Sequence, residues 1–174
     1  MSYFVERRTE DGWEGVAPAE WGATEWSVNA WEGPSFPIAH SHRNYGLFGI
    51  LADVRNYSGF TPIKPWEKWP DDHTRKRRPS CFSDELGDGW ERGISTWYYA
   101  QELLDFDWDT PALNRRNDGH DPPNWGTGPY TAPEGQGEPT TYREEVGESF
   151  LAEVAAIRAL HPDPLGVRIL MGFD

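Results

Sequence analysis

The sequence predicts an α+β fold: a small antiparallel sheet formed by an N-terminal hairpin and a C-terminal strand, packed by about three helices, with long Pro/Gly-rich loops. Three observations predict it. Glu10-Asp11-Gly12 separates two β-compatible segments, and Asp-Gly in that setting is a strong hairpin signal. The chain closes on an apolar run, Val167 to Phe173, which is tied down only if it joins a sheet. Between them, three stretches repeat apolar residues at helical spacing. At 174 residues the chain fits one domain, residues 1–174.

Tyr3 to Arg8 reads as the first strand and Trp13 to Val16 as its return. Residues 18–42, rich in Pro, Gly, Ser and Trp, read as an ordered loop. Arg43 to Asn56 reads as a helix, with Leu47, Ile50, Leu51 and Val54 forming a core-facing stripe and Ser41 as its cap. Gly46 and Gly49 are unfavourable inside a helix, which suggests close approach of another backbone or a ligand. Residues 57–80, with Pro62, Pro65, Pro70 and Pro79, read as a long loop. Trp97 to Phe106 reads as a second helix capped by Ser95 or Thr96. Residues 109–139 read as a second long loop; such loops are usually functional or mobile. Thr141 to Leu160 reads as the longest helix, ~30 Å if continuous, opened by the capping box Thr141/Glu144 and ended by His161-Pro162.

Composition narrows the function. The single cysteine, Cys81, forms no internal disulfide and suits a reducing compartment. No apolar run approaches the ~18–20 residues of a membrane span, and the N-terminus shows no signal segment. These features predict a cytoplasmic location. The net charge of −13 repels the phosphate backbone, which disfavours nucleic acid as a partner. Ten tryptophans serve either core packing or a surface that stacks flat ligands.

Four segments taken together carry a resemblance: Ser2 to Val16, Arg43 to Asn56, Glu102 to Trp108, and Val167 to Asp174. They resemble a family of uncharacterised proteins common in phage and bacterial genomes, whose members often begin Met-Gly-Cys-Asp-Ile-His. The likeness covers most of the chain in patches, and Arg43 to Asn56 is its most specific part. The chain departs from the family at its start, where Ser2-Tyr3-Phe4 stands. It departs again before the second predicted helix, where Gly93-Ile94-Ser95-Thr96-Trp97 replaces a His-Ser-His-Ser-Trp pattern. The family's Pro-Arg-Gly-Leu-Pro stretch is matched by Pro65 to Pro70. The resemblance therefore implies a retained scaffold whose candidate metal or acid–base groups are gone.

Candidate site residues are of two kinds. Arg43, Asn44 and Tyr45 open the first predicted helix and Arg55 closes it; guanidinium forks and helix-start N–H groups suit phosphate or carboxylate. Their alternative use is pairing with the chain's many acids, with Tyr45 in the core. Trp66, Lys68 and Trp69 sit in a Pro-rich loop, where two rings and a cation suit a flat anion or simply fasten the loop. Trp97 joins this set if the rings and cations converge on one cleft. Arg75-Lys76-Arg77-Arg78 is a basic run without interleaved aromatics and reads as a solvated loop.

Asp105, Asp107 and Asp109 begin like a calcium loop, but Thr110 stands where Gly is needed. His40 and His42 lack a third metal ligand, and Cys81 lacks a histidine at a recognisable spacing. No cofactor, metal site or catalytic set is predicted. Gly135-Gln136-Gly137 follows no strand and opens no helix, so it is no nucleotide fingerprint.

The expectation from residues and resemblance together is a phage-encoded, non-enzymatic binding protein. Its ligand would be a small nucleotide-derived immune signal, sequestered to counter host defence. The other classes left open are an acidic protein–protein inhibitor or nucleic-acid mimic, a nucleotide hydrolase, and a virion or assembly component. A host-protein partner and self-association also remain open.

Overall fold

β9 (Val167–Phe173) lies between β1 (Ser2–Thr9) and β4 (Ile94–Tyr99), antiparallel to both, and β2 (Gly12–Val16) completes the order β2-β1-β9-β4. The arrangement is that of a computed structural model, which describes residues 2–22, 39–40, 44–74, 94–117 and 130–173. Val5 stands opposite both Val16 and Ile169, and Leu170 opposite both Phe4 and Trp97. Every residue of β9 is buried, as a strand covered on both faces requires. β3 (Ala39–His40) adds a short pairing to β1. The predicted α+β class, with the hairpin and the closing strand in one antiparallel sheet, is what the chain adopts.

The chain divides into two compact units. The first contains Met1–Arg43, Glu67–Asp105 and Leu151–Asp174; the second contains Asn44–Trp66 and Phe106–Phe150.

In the first unit the strand period of two sorts side chains onto opposite faces of the sheet. One face carries Tyr3, Val5, Tyr98, Ile169 and Met171, all buried. There the Tyr3 hydroxyl and the Trp21 indole N–H both donate to the Glu153 carboxylate. The opposite face carries Phe4, Glu6, Trp97, Leu170 and Arg168. α2 (Ala100–Asp105) follows β4 directly. This corrects the predicted helix start at Trp97: Trp97-Tyr98-Tyr99 are strong β formers, and β9 offers them a paired edge. The Tyr99 N–H instead donates to the Glu102 carboxylate at 2.7 Å, closing the turn into the helix.

In the second unit α1 (Tyr45–Ala52) is shorter than predicted. Asn44 caps it, its side-chain oxygen accepting the Leu47 N–H at 3.0 Å. The expected cap, Ser41, lies outside the described residues. Asp53 ends the helix in the left-handed region. Leu47, Ile50, Leu51 and Val54 are buried, as the stripe predicts. Gly49 does permit close approach, though of a side chain: the Asn56 amide lies where a Cβ would stand.

Two further corrections fall here. Residues 109–139 are not one loop: β5 (Pro111–Asn114) pairs with β8 (Glu138–Thr141), and β6 (Arg116–Asn117) with β7 (Tyr130–Thr131). The long helix is two helices, α3 (Tyr142–Val146) and α4 (Glu148–Arg158). Gly147 divides them at φ 81°, ψ 151°, a conformation open to glycine and almost nothing else. The predicted capping box holds, with the Thr141 hydroxyl and Glu144 carboxylate each accepting the other's N–H. Tyr142 packs against Phe60 and Phe106, and Trp108 packs against Phe106 and Phe150.

Candidate functional site

α1 leads into a tight turn that fixes Arg55. The Asn56 side chain accepts the Phe60 N–H and donates to the Phe60 carbonyl, so the chain folds back at once. Arg55 adopts φ 47°, a left-handed conformation that costs a non-glycine residue on the order of 1 kcal/mol or more. Its carbonyl accepts the Tyr57 N–H at 2.7 Å. The Arg55 guanidinium carbon then stands 5.8 Å from the Tyr45 ring centre.

A second cation shares that ring. The Arg116 guanidinium carbon lies 5.3 Å from the Tyr45 centroid. Tyr57 meets Tyr45 edge-on at 6.0 Å, as does Phe48. Tyr45 is thus a half-buried platform holding two guanidinium groups.

Arg55 differs from four other described arginines. Arg7 pairs with Glu14 and Glu20, Arg8 with Asp163, Arg143 with Asp109 and Glu148, and Arg168 with Glu6 and Asp72. The hydrogen-bonded Arg143 fork holds the Asp109 carboxyl below the usual aspartate range. Exposed Arg55 has no carboxylate partner among the described residues, in a chain with 29 acids against 16 Lys and Arg.

The same unit contains an open groove of about 650 Å³. The turn Gly59–Thr61 forms part of its wall and β5 residues Pro111, Ala112 and Leu113 another, with Arg115 and Glu134 also lining it. The Tyr142 hydroxyl donates to the Thr61 carbonyl at 3.2 Å and braces the wall.

The remaining predicted residues have other surroundings. Asn44 is spent on capping α1, and its amide donates to the Glu145 carbonyl. Trp66 is 59% exposed in the second unit. Lys68 is exposed in the first. The Trp69 indole donates to the Thr96 and Met171 carbonyls, and Trp69 and Trp97 pack on Phe4 and Leu170. Neither unit alone gathers the predicted set, because Tyr45 belongs to one and Lys68 and Trp97 to the other. Arg43, His42, Cys81 and Arg75 to Arg78 lie outside the described residues, as does the side chain of His40.

The aspartates of the calcium-like stretch have protein partners: Gln101 for Asp105, Thr110 for Asp107 and Arg143 for Asp109. No group of three or more His, Cys, Asp or Glu among the described residues is placed to share a metal ion. No helix among them is long and apolar enough to cross a membrane.

Arg115 and Arg116 are the residues that sequence reasoning missed. They sit in a stretch that reads as loop. Only the β5–β8 and β6–β7 pairings, short and interrupted by prolines, bring them back to Tyr45 and Gly59. Comparison of the chain with protein-family models, curated proteins and solved structures finds no match.

Proposed function

We propose that the protein binds a small anionic ligand, of the nucleotide-derived class, at Arg55, Tyr45 and Arg116, and acts by sequestering it. The observation that supports this most is Arg55 itself. It is an exposed cation without a carboxylate partner among the described residues, held in a costly backbone conformation above a ring that carries a second guanidinium. The Arg55 fork can offer several N–H donors to phosphate oxygens, and Arg116 adds positive charge at the same ring. Capture and release need no acid–base pair. In a phage setting, as the family resemblance implies, the captured molecule is an immune signal of the host.

The test is a thermal-shift and calorimetric panel of mononucleotides, dinucleotides and cyclic nucleotides. A ligand at ~100 times its Kd raises stability by roughly 2.7 kcal/mol. Binding should vanish in Arg55→Gln, and the ligand should be recovered chemically intact. No response to any member of the panel, or equal binding by Arg55→Gln, overturns the proposal. Recovery of a hydrolysed ligand would make the protein an enzyme instead.

A further inference from the structure

We infer that the groove beside Gly59 is a separate binding site for an apolar monoanion, a carboxylate on an aromatic or aliphatic body, with Arg115 as its anion-recognising residue. This does not depend on the Tyr45 platform. The two adjacent arginines serve different places: Arg116 turns to Tyr45, whereas Arg115 lies against Gly59 and lines the groove.

The seat of Arg115 is built by the backbone. Its N–H donates to the Ser58 carbonyl at 3.0 Å, and its carbonyl accepts from Ala132 at 2.8 Å. Both ends of the residue are thereby fixed. The guanidinium rests on Gly59 so closely that a Cβ there would stand 2.3 Å from Nη2 and 2.6 Å from Nε. Gly59 is also at φ +68°, a conformation in which a side chain is strained. A half-buried guanidinium held this way has lost part of its hydration. Yet it has no carboxylate or side-chain hydrogen-bond partner among the described residues. An incoming carboxylate would supply the missing partner through a two-pronged pairing.

The rest of the groove sets the ligand class. Phe60, Pro111, Ala112 and Leu113 offer apolar wall, and Leu113 is 36% exposed. Glu134 lines the same groove and pairs with no cation among the described residues. A groove lined by one guanidinium and one carboxylate accommodates a single negative charge better than two. Phosphate dianions are therefore poor occupants.

The test is a ¹H–¹⁵N NMR titration with 3-phenylpropanoate, with 3-phenylpropanol and inorganic phosphate as controls. The acid should shift the Gly59, Thr61 and Leu113 amides saturably, while the alcohol and phosphate bind far more weakly. Arg115→Gln should weaken the acid about tenfold or more, and Arg115→Lys less. Glu134→Gln should tighten it. Arg55→Gln should leave the titration unchanged, which separates this site from the nucleotide proposal. Absence of saturable shifts at those amides, equal binding of acid and alcohol, or undiminished binding by Arg115→Gln overturns the inference. If Arg115→Gln loses its native spectrum, the acid–alcohol contrast and Arg115→Lys decide.

Discussion

The Arg168 guanidinium lies 2.7 Å from the Glu6 carboxylate, with side chains only 3% and 2% exposed. They are cross-strand neighbours on β9 and β1. The other Glu6 oxygen accepts from both the backbone N–H and the hydroxyl of Thr74. Arg168 also pairs with Asp72 and lies 4.0 Å from the Trp13 ring centre. Two charges withdrawn from water persist only when their remaining donors and acceptors are met. The segment Asp72 to Thr74 meets most of them, leaving Arg168 Nη2 buried without a hydrogen-bond partner among the described residues, and in doing so is pinned to the sheet.

Removing one partner of that pair strands the other. Glu6→Gln or Arg168→Met should destabilise the protein by about 3–5 kcal/mol in urea unfolding. Replacing both with apolar residues, as in Glu6→Leu/Arg168→Met, should recover much of the loss. A double variant no better than the singles would show that the pair does not act as a unit.

Asp72 makes part of this stability depend on pH. Its carboxyl is held below the ordinary value, chiefly by the Arg168 hydrogen bond, with further help from the Arg168 charge and the Trp13 indole. The folded protein therefore binds that proton more weakly than the unfolded chain. The contribution is complete above the ordinary aspartate value of 3.8 and fades as pH falls through the lower folded value. Asp72 is 64% exposed, so solvent screening limits the pairing to about 1 kcal/mol or less. Thermal melts should show Asp72→Asn less stable than the parent at pH 6. The difference should shrink as pH falls below 3.8.

Asn44 serves α1 twice, capping Leu47 and reaching the Glu145 carbonyl. Asn44→Ala should cost about 1–2 kcal/mol in urea unfolding. Amide exchange in the first turn of α1 should quicken. A change confined to ligand binding, with stability intact, would contradict the capping role.

Gly147 holds α3 and α4 apart. Gly147→Ala should lose about 1–3 kcal/mol, because alanine cannot adopt φ 81°, ψ 151° without strain. A variant that gained stability would mean that the helix becomes continuous.

The elements legible in the sequence are those whose signal is local. Asp11-Gly12 marks the hairpin, Thr141 with Glu144 marks a helix start, and the apolar run at Val167 to Phe173 marks the covered strand. Trp97 to Tyr99 misled because aromatic residues just before Ala100 continue a helical pattern, and only pairing with β9 makes them strand. Gly147 was hidden inside an otherwise regular apolar repeat. The site was half legible. Tyr45 and Arg55 are close in sequence, ten residues apart across one helix and its turn. Arg115 and Arg116 reach them only through short strands whose prolines read as loop. Trp69 and Trp97 have the composition of a stacking site, but their positions on Phe4 and Leu170 make them cover for the sheet.

Among the described residues β9 is the strand that joins β4 to β1, and the whole stretch from Ala100 to Gly166 separates it from β4 in the chain. During synthesis on the ribosome, the hairpin and β4 therefore emerge with bare edges and no direct pairing. They wait for a segment made much later. Such distant pairing slows folding and leaves strand edges open to other chains meanwhile. A nascent chain stalled before Val167 is thus a natural client for chaperones, and the sheet closes only after release of that segment from the exit tunnel.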